Sequence, residues 1–133
     1  MRLPDWEARL HEYLDSVAAE PFAYGKHDCA LFVAGVVNAM TGHDFGAPFR
    51  GRYKSAAGAV RALRLYGAGN LESTLTAALG FPVHPSRAGR GDIVTDGENV
   101  GVCMGGVAKF VSDIGMTDLP RSAWQQAWVV HHG

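Results

Sequence analysis

The sequence predicts an α+β fold, with N-terminal helices packed on a small antiparallel β-sheet. Three observations predict it. Apolar residues recur at helical spacing as far as residue 80; short β-branched and apolar runs broken by glycine follow Phe81; and hairpin-forming pairs stand between those runs. Helices first and a meander second is the order in which helices collect on one face of an antiparallel sheet. The 133 residues suit one core, so 1–133 is read as a single domain.

Each element has its own signal. Leu3, Trp6, Leu10, Tyr13, Leu14 and Val17 share a helical face, and Pro4 and Asp5 suit a first turn, so a helix is expected over about 4–19. Pro21 ends it, and Phe22 to Lys26 reads as an extended lead-in that turns at Gly25. Asp28 is a good N-cap for a second helix striped by Cys29, Phe32, Val33, Val36, Val37 and Met40, which Thr41-Gly42 stops. His43 to Lys54 reads as a long loop anchored by Phe45, Phe49 and Tyr53. Its Arg50, Arg52 and Lys54, with Tyr53, suit either a solvated loop or a partner contact.

Ser55 can cap a third helix with Ala59, Val60, Leu63 and Tyr66 inward. Asn70 can cap a fourth with Leu71, Leu75, Ala78 and Leu79 inward, and Gly67 and Gly80 end the two. The strands expected are Asp92–Thr95, Val100–Met104, Val107–Val111 and Trp128–Val130, with Asp96-Gly97 and Gly105-Gly106 as turns. Trp6, Phe32, Phe110, Trp124 and Trp128 are core candidates. Gly101, Cys103 and Gly105 form a small-residue face that would let the Cys29 helix approach the sheet.

Composition excludes several classes. A formal net charge near −1 with no basic block argues against nucleic acid and anionic membrane as partners. The apolar runs are too short to span a bilayer, and the N-terminus lacks the apolar core and cleavage site of a signal peptide. Two cysteines, Cys29 and Cys103, do not make a disulfide framework. No Cys-x-x-Cys or His-x-His pair seeds a zinc site, and no cofactor or metal is expected.

Asp28-Cys29 is the segment with chemistry in it. A thiol on the first turn of a buried helix meets unpaired N–H groups and the positive end of the helix dipole, which favour a thiolate. The alternative is a small buried hydrophobe at a helix start. Asp28 reads as the N-cap rather than as a catalytic acid. His27 adjoins Cys29 but points elsewhere, and His131-His132 reads as an exposed tail.

Tyr24-Gly25, Asp28-Cys29, Gly91-Asp92-Ile93-Val94 and Asn99-Val100-Gly101-Val102-Cys103-Met104-Gly105 occur in that order on the helix-then-strand pattern. In this the chain resembles the NlpC-type cell-wall cysteine peptidases, a papain-like group. The resemblance implies a papain-like core with Cys29 as nucleophile. The form Tyr-Gly-Lys-His-Asp-Cys, with Trp6 early and Trp128 late, resembles most a group encoded in prophages and tailed phages. That implies a tail-tip or tail-assembly component, other tail or baseplate proteins as partners, and possible contact with peptidoglycan. It also implies residence in the host cytoplasm during assembly and in the virion tail afterwards.

The resemblance breaks at the base. The family's catalytic histidine falls at Asn99, which cannot take a proton near neutral pH. Its third polar residue falls near Val111, which cannot orient a base, or Ser112, which does so only with the register shifted by one. His43 and His84, both in expected loops, are the substitute bases left to consider, because geometry and not chain order defines such a site. With Asn99 facing Cys29, Cys103 would lie about 13 Å further along a strand at about 3.3 Å per residue, beyond disulfide reach. Two readings follow. One is a structural or weakly catalytic tail component; the other is an active peptidase or amidase that cleaves peptidoglycan stem peptides through Cys29.

Overall fold

The computed structural model of the chain describes residues 1–131. Four helices precede a five-stranded antiparallel sheet, as the hydrophobic pattern predicts. They are α1 (Trp6–Val17), α2 (Cys29–Thr41), α3 (Ala56–Tyr66) and α4 (Leu71–Leu79). The strands are β1 (Ile93–Thr95), β2 (Val100–Cys103), β3 (Val107–Ser112), β4 (Gly115–Pro120) and β5 (Gln126–Trp128), in the sheet order β4-β3-β2-β1-β5.

α2 is the central element. Leu31, Phe32, Val33, Val36, Val37 and Met40 are all buried, each contributing roughly 1.5–3 kcal/mol relative to exposure. The helix starts at Asp28, whose side chain accepts from the Leu31 N–H, and stops at Gly42, whose φ of 81° suits glycine. α1 crosses it at Gly35, where a Cβ would lie 2.1 Å from the Tyr13 hydroxyl oxygen. Only a glycine permits that approach.

The sheet is covered on both faces. Ile93, Val100, Val102, Val111 and Trp128 pack with Leu10, Phe32, Val33, Val36 and Met40 of the helices. Val94, Cys103, Ala108, Phe110 and Ala127 form a second cluster on the other face with Ala88 and Trp124. This reverses the expectation for the small-residue face. The valines of β2 meet the helix cluster, while Gly101 gives way to the Phe110 ring and the Lys109 carbonyl, 2.8 and 2.4 Å from where its Cβ would stand.

Other expectations shift as well. β4 has no apolar alternation, since it is an edge strand with none of its residues buried, and its sequence Gly-Met-Thr-Asp-Leu-Pro hid it. The last strand is Gln126–Trp128, because Val130 leaves the ladder and donates its N–H to Asp92 at 3.0 Å. Val60, Tyr66 and Ala78 are exposed rather than inward. α3 buries only Ala62, because its apolar side flanks a cavity instead of the core. His131 is exposed, and His132 lies outside the described residues.

Asp92 owes its place to an ion pair. The Arg2 guanidinium donates to Asp92 Oδ1 (2.9 Å), to the Val130 carbonyl (2.8 Å) and to the Arg90 carbonyl (2.9 Å), and it lies over the Trp6 ring. Both side chains are almost fully buried. The pair ties residue 2 to the start of β1 and the end of β5. Gly91, with φ 90°, makes room: a Cβ there would stand 2.9 Å from both Arg2 Nη1 and Met40 Sδ. Removing one member of a buried, hydrogen-bonded pair leaves the other charge uncompensated. Arg2→Ala is therefore expected to destabilise the fold by about 3–5 kcal/mol in urea unfolding, the range for broken buried pairs.

Candidate functional site

The site begins with the segment before α2. Ala23 and His27 pair backbone to backbone, and Gly25 turns between them at φ 80°. A Cβ at Gly25 would sit 2.1 Å from the Tyr53 carbonyl oxygen, so the glycine lets the 46–53 loop close on the lead-in. The Gly51 N–H donates to the Gly25 carbonyl at 2.9 Å. The Asp28 carboxylate completes the junction. Oδ1 accepts from the Leu31 N–H at 2.9 Å, and Oδ2 accepts from the Gly25 N–H at 3.0 Å and from the Tyr53 hydroxyl. Asp28 is buried with every one of these bonds made, which is the work of an N-cap and not of an acid free to move protons. Burial, then Asp28, push the Tyr53 phenol up.

Cys29 is the first residue of α2 and is partly exposed. It lines a cavity of about 410 Å³ whose walls are Phe22, Tyr24, Phe45, Phe49, Tyr53 and the inner side of α3. Asn99, Ser112, Glu98 and Asp113 close its far side. Glu98 and Asn99 precede β2, Ser112 ends β3 and Asp113 follows it, so the tips of the β1–β2 and β3–β4 hairpins both reach the cavity. Val111 faces the helix-side core and Ser112 reaches the cavity without a shift of register.

The electrostatics oppose a thiolate. Burial pushes the Cys29 thiol up, and the Asp28 carboxylate pushes the same way; N–H groups of Val100, Ala30 and Cys29 pull it down by less. Among the described residues no histidine, lysine or arginine lines the cavity.

The substitute bases are not at the cavity. His43 is exposed after the end of α2, and His84 is exposed with Nδ1 2.8 Å from Ser86 Oγ, at the start of the 3-10 turn Pro85–Arg87. Neither lines the cavity: His43 stands exposed at the start of the loop whose Phe45, Phe49 and Tyr53 do line it, and His84 lies in the segment between α4 and β1. Cys103 is fully buried in the sheet's other cluster, 3.4 Å from the Gly105 nitrogen, and both cysteines are free thiols. Among the described residues no group of three His, Cys, Asp or Glu side chains is placed to hold a metal ion. Among the described residues no helix is long and apolar enough to cross a membrane.

A family profile described as "Domain of unknown function (DUF6950)" matches residues 1–130. The chain belongs to the DUF6950 family. No curated protein and no solved structure matches it.

Two site residues of this DUF6950 chain, Tyr53 and Asp113, escape sequence reading. Tyr53 looks like a loop anchor, and its bond to Asp28 spans 25 positions with no local signal. Ser112 and Asp113 reach the cavity because the β3–β4 hairpin exists, and β4 was the strand that its polar composition concealed.

His27 supplies a test of the junction. It is buried edge-on to the Phe32 ring, 6.2 Å between centroids, and burial lowers its pKa from 6.5. The neutral form is favoured on folding. Stability is therefore whole above 6.5 and is lost as pH falls through the folded value, since the unfolded chain takes up the proton first. The melting temperature is expected to fall between about pH 7.5 and about pH 5.5, and His27→Gln is expected to flatten that slope in thermal scans.

Proposed function

We propose that this chain is a catalytically silent domain built on an NlpC-type, papain-like frame, serving as a structural component of a phage-type tail tip. One observation carries the loss of chemistry: the cavity beside Cys29 presents Asn99 where the frame would place its base, and no imidazole among the described residues lines it. Amide and hydroxyl groups there can hold a ligand, but they cannot take a proton from a thiol at neutral pH. The order of Asp28-Cys29, Gly91-Asp92 and Val100-Gly101-Val102 supports the frame, as does the helix start that meets the first residues of β2. The tail placement rests on the resemblance of Tyr24 to Cys29 to the phage-encoded group. On that reading the partners are tail or baseplate proteins, with peptidoglycan a possible contact. The domain is made in the host cytoplasm and leaves in the virion.

The active-peptidase reading has one feature in its favour, the backbone N–H groups aimed at the sulfur. They suit an oxyanion as well as a thiolate. They pull the thiol down by less than burial and Asp28 push it up, and no group supplies the leaving-group proton.

Two variants test the proposal. Cys29→Ser is expected to leave particle assembly intact, and the wild-type protein to release no peptide from purified cell wall. Wild-type cleavage that Cys29→Ser abolishes would overturn the silent reading. Asn99→His restores an imidazole to the cavity. It is expected to raise alkylation of Cys29 at neutral pH by at least about tenfold, as a paired base does for a buried thiol. An unchanged rate in that folded variant would count against the papain-like frame.

A further inference from the structure

Charge is segregated along this chain. From Phe45 to Leu71 it carries Arg50, Arg52, Lys54, Arg61 and Arg64 with no acid, although the formal net charge is −1. Arg50 is held by Asp44, and Arg52 lies over the Tyr66 ring. Arg61 and Arg64 have no ion-pair partner among the described residues. Their spacing puts them with Leu65 on one stripe of α3. That stripe points away from the Ala56, Ala59 and Leu63 side that lines the cavity, and Leu65 is 67% exposed.

The opposite sign gathers at the hairpin tips. Glu98, in the β1–β2 turn, and Asp113, in the β3–β4 turn, line the rim of the same cavity, and both are exposed without an ion-pair partner among the described residues. Beside them Ile114 is 82% exposed.

We propose that the chain self-associates head to tail: the hairpin tips of one copy, with Glu98, Asp113 and Ile114, dock on the Arg61, Arg64 and Leu65 stripe of the next. Each patch has two unpaired charges of one sign and an exposed aliphatic anchor, so each supplies what the other lacks. A nucleic acid or an anionic membrane would match α3 and leave the two carboxylates without a cation; a cationic ligand would match the tips and leave the arginines bare. A second copy satisfies both. A net charge near zero puts little repulsion between copies. The two patches are different surfaces, so the contact is heterologous and builds a ring or a filament rather than a closed twofold dimer. Its charges are exposed, so salt weakens it.

Sedimentation velocity on the full chain over a concentration series is the test. At about 0.05 M salt the mean mass is expected to climb with concentration past the dimer, and at about 0.5 M to return toward the monomer. Arg61→Glu with Arg64→Glu, or Glu98→Lys with Asp113→Lys, is expected to weaken association at least about tenfold, since each swaps attraction for repulsion at two pairs. Mixing the two doubly substituted chains restores complementary contacts in alternation and is expected to recover assembly. Circular dichroism checks that each is folded. A wild type that stays monomeric at low salt overturns the proposal, as does association that ignores salt or both charge reversals. Recovery that fails on mixing two folded variants also overturns it. So does a monomer that binds DNA or anionic vesicles through Arg61 and Arg64.

Discussion

The Asp28 carboxylate is the group on which the rest of the site depends. It is one residue before the thiol, it is buried, and its three bonds reach three pieces of chain: the opening turn of α2, the turn at Gly25, and the loop that ends in Tyr53. A capping bond alone contributes about 1 kcal/mol. Here the same group also fixes where α2 begins and how the 46–53 loop folds over the cavity. The loop brings Phe45, Phe49 and Tyr53 to the wall, and the helix start brings Cys29.

That arrangement sets the chemistry as well as the shape. A carboxylate next to a partly buried thiol disfavours the thiolate, and the helix-start N–H groups do not make up the difference. A cysteine enzyme resolves such a conflict with a cation facing the sulfur. Here Asn99 and Ser112 line the cavity that Cys29 lines, together with the carboxylates of Glu98 and Asp113. On the proposed papain-like frame, the nucleophile's position would be kept while the charge that activates it is missing. The proposed role as an assembly component needs only the first of these.

Much of the fold was legible because the chain punctuates itself. Asp28, Ser55 and Asn70 each stand directly before an apolar helical stripe, and each accepts the N–H three residues on. Asp96-Gly97 and Gly105-Gly106 mark two of the turns of the meander. What escaped was set by tertiary context. β4 carries no alternating pattern because its edge is solvated. Which face of β2 meets the helices was misread, since small residues fit equally well under a helix or beneath Phe110. At the site, the thiol and its cap could be read from short motifs. The Tyr53–Asp28 bond joins distant segments, and the exclusion of His43 and His84 depends on where loops pack; periodicity reports neither.

The account's central claim is that the protein around Cys29 suppresses its ionisation. The pH dependence of the alkylation rate of Cys29 in the folded wild-type chain, with Cys103 buried and silent as the internal control, measures this directly. The account predicts a rate that is slower at pH 7 than for an unstructured cysteine and that rises with one inflection at or above 9.0. A reactive plateau that extends below neutral pH would contradict it.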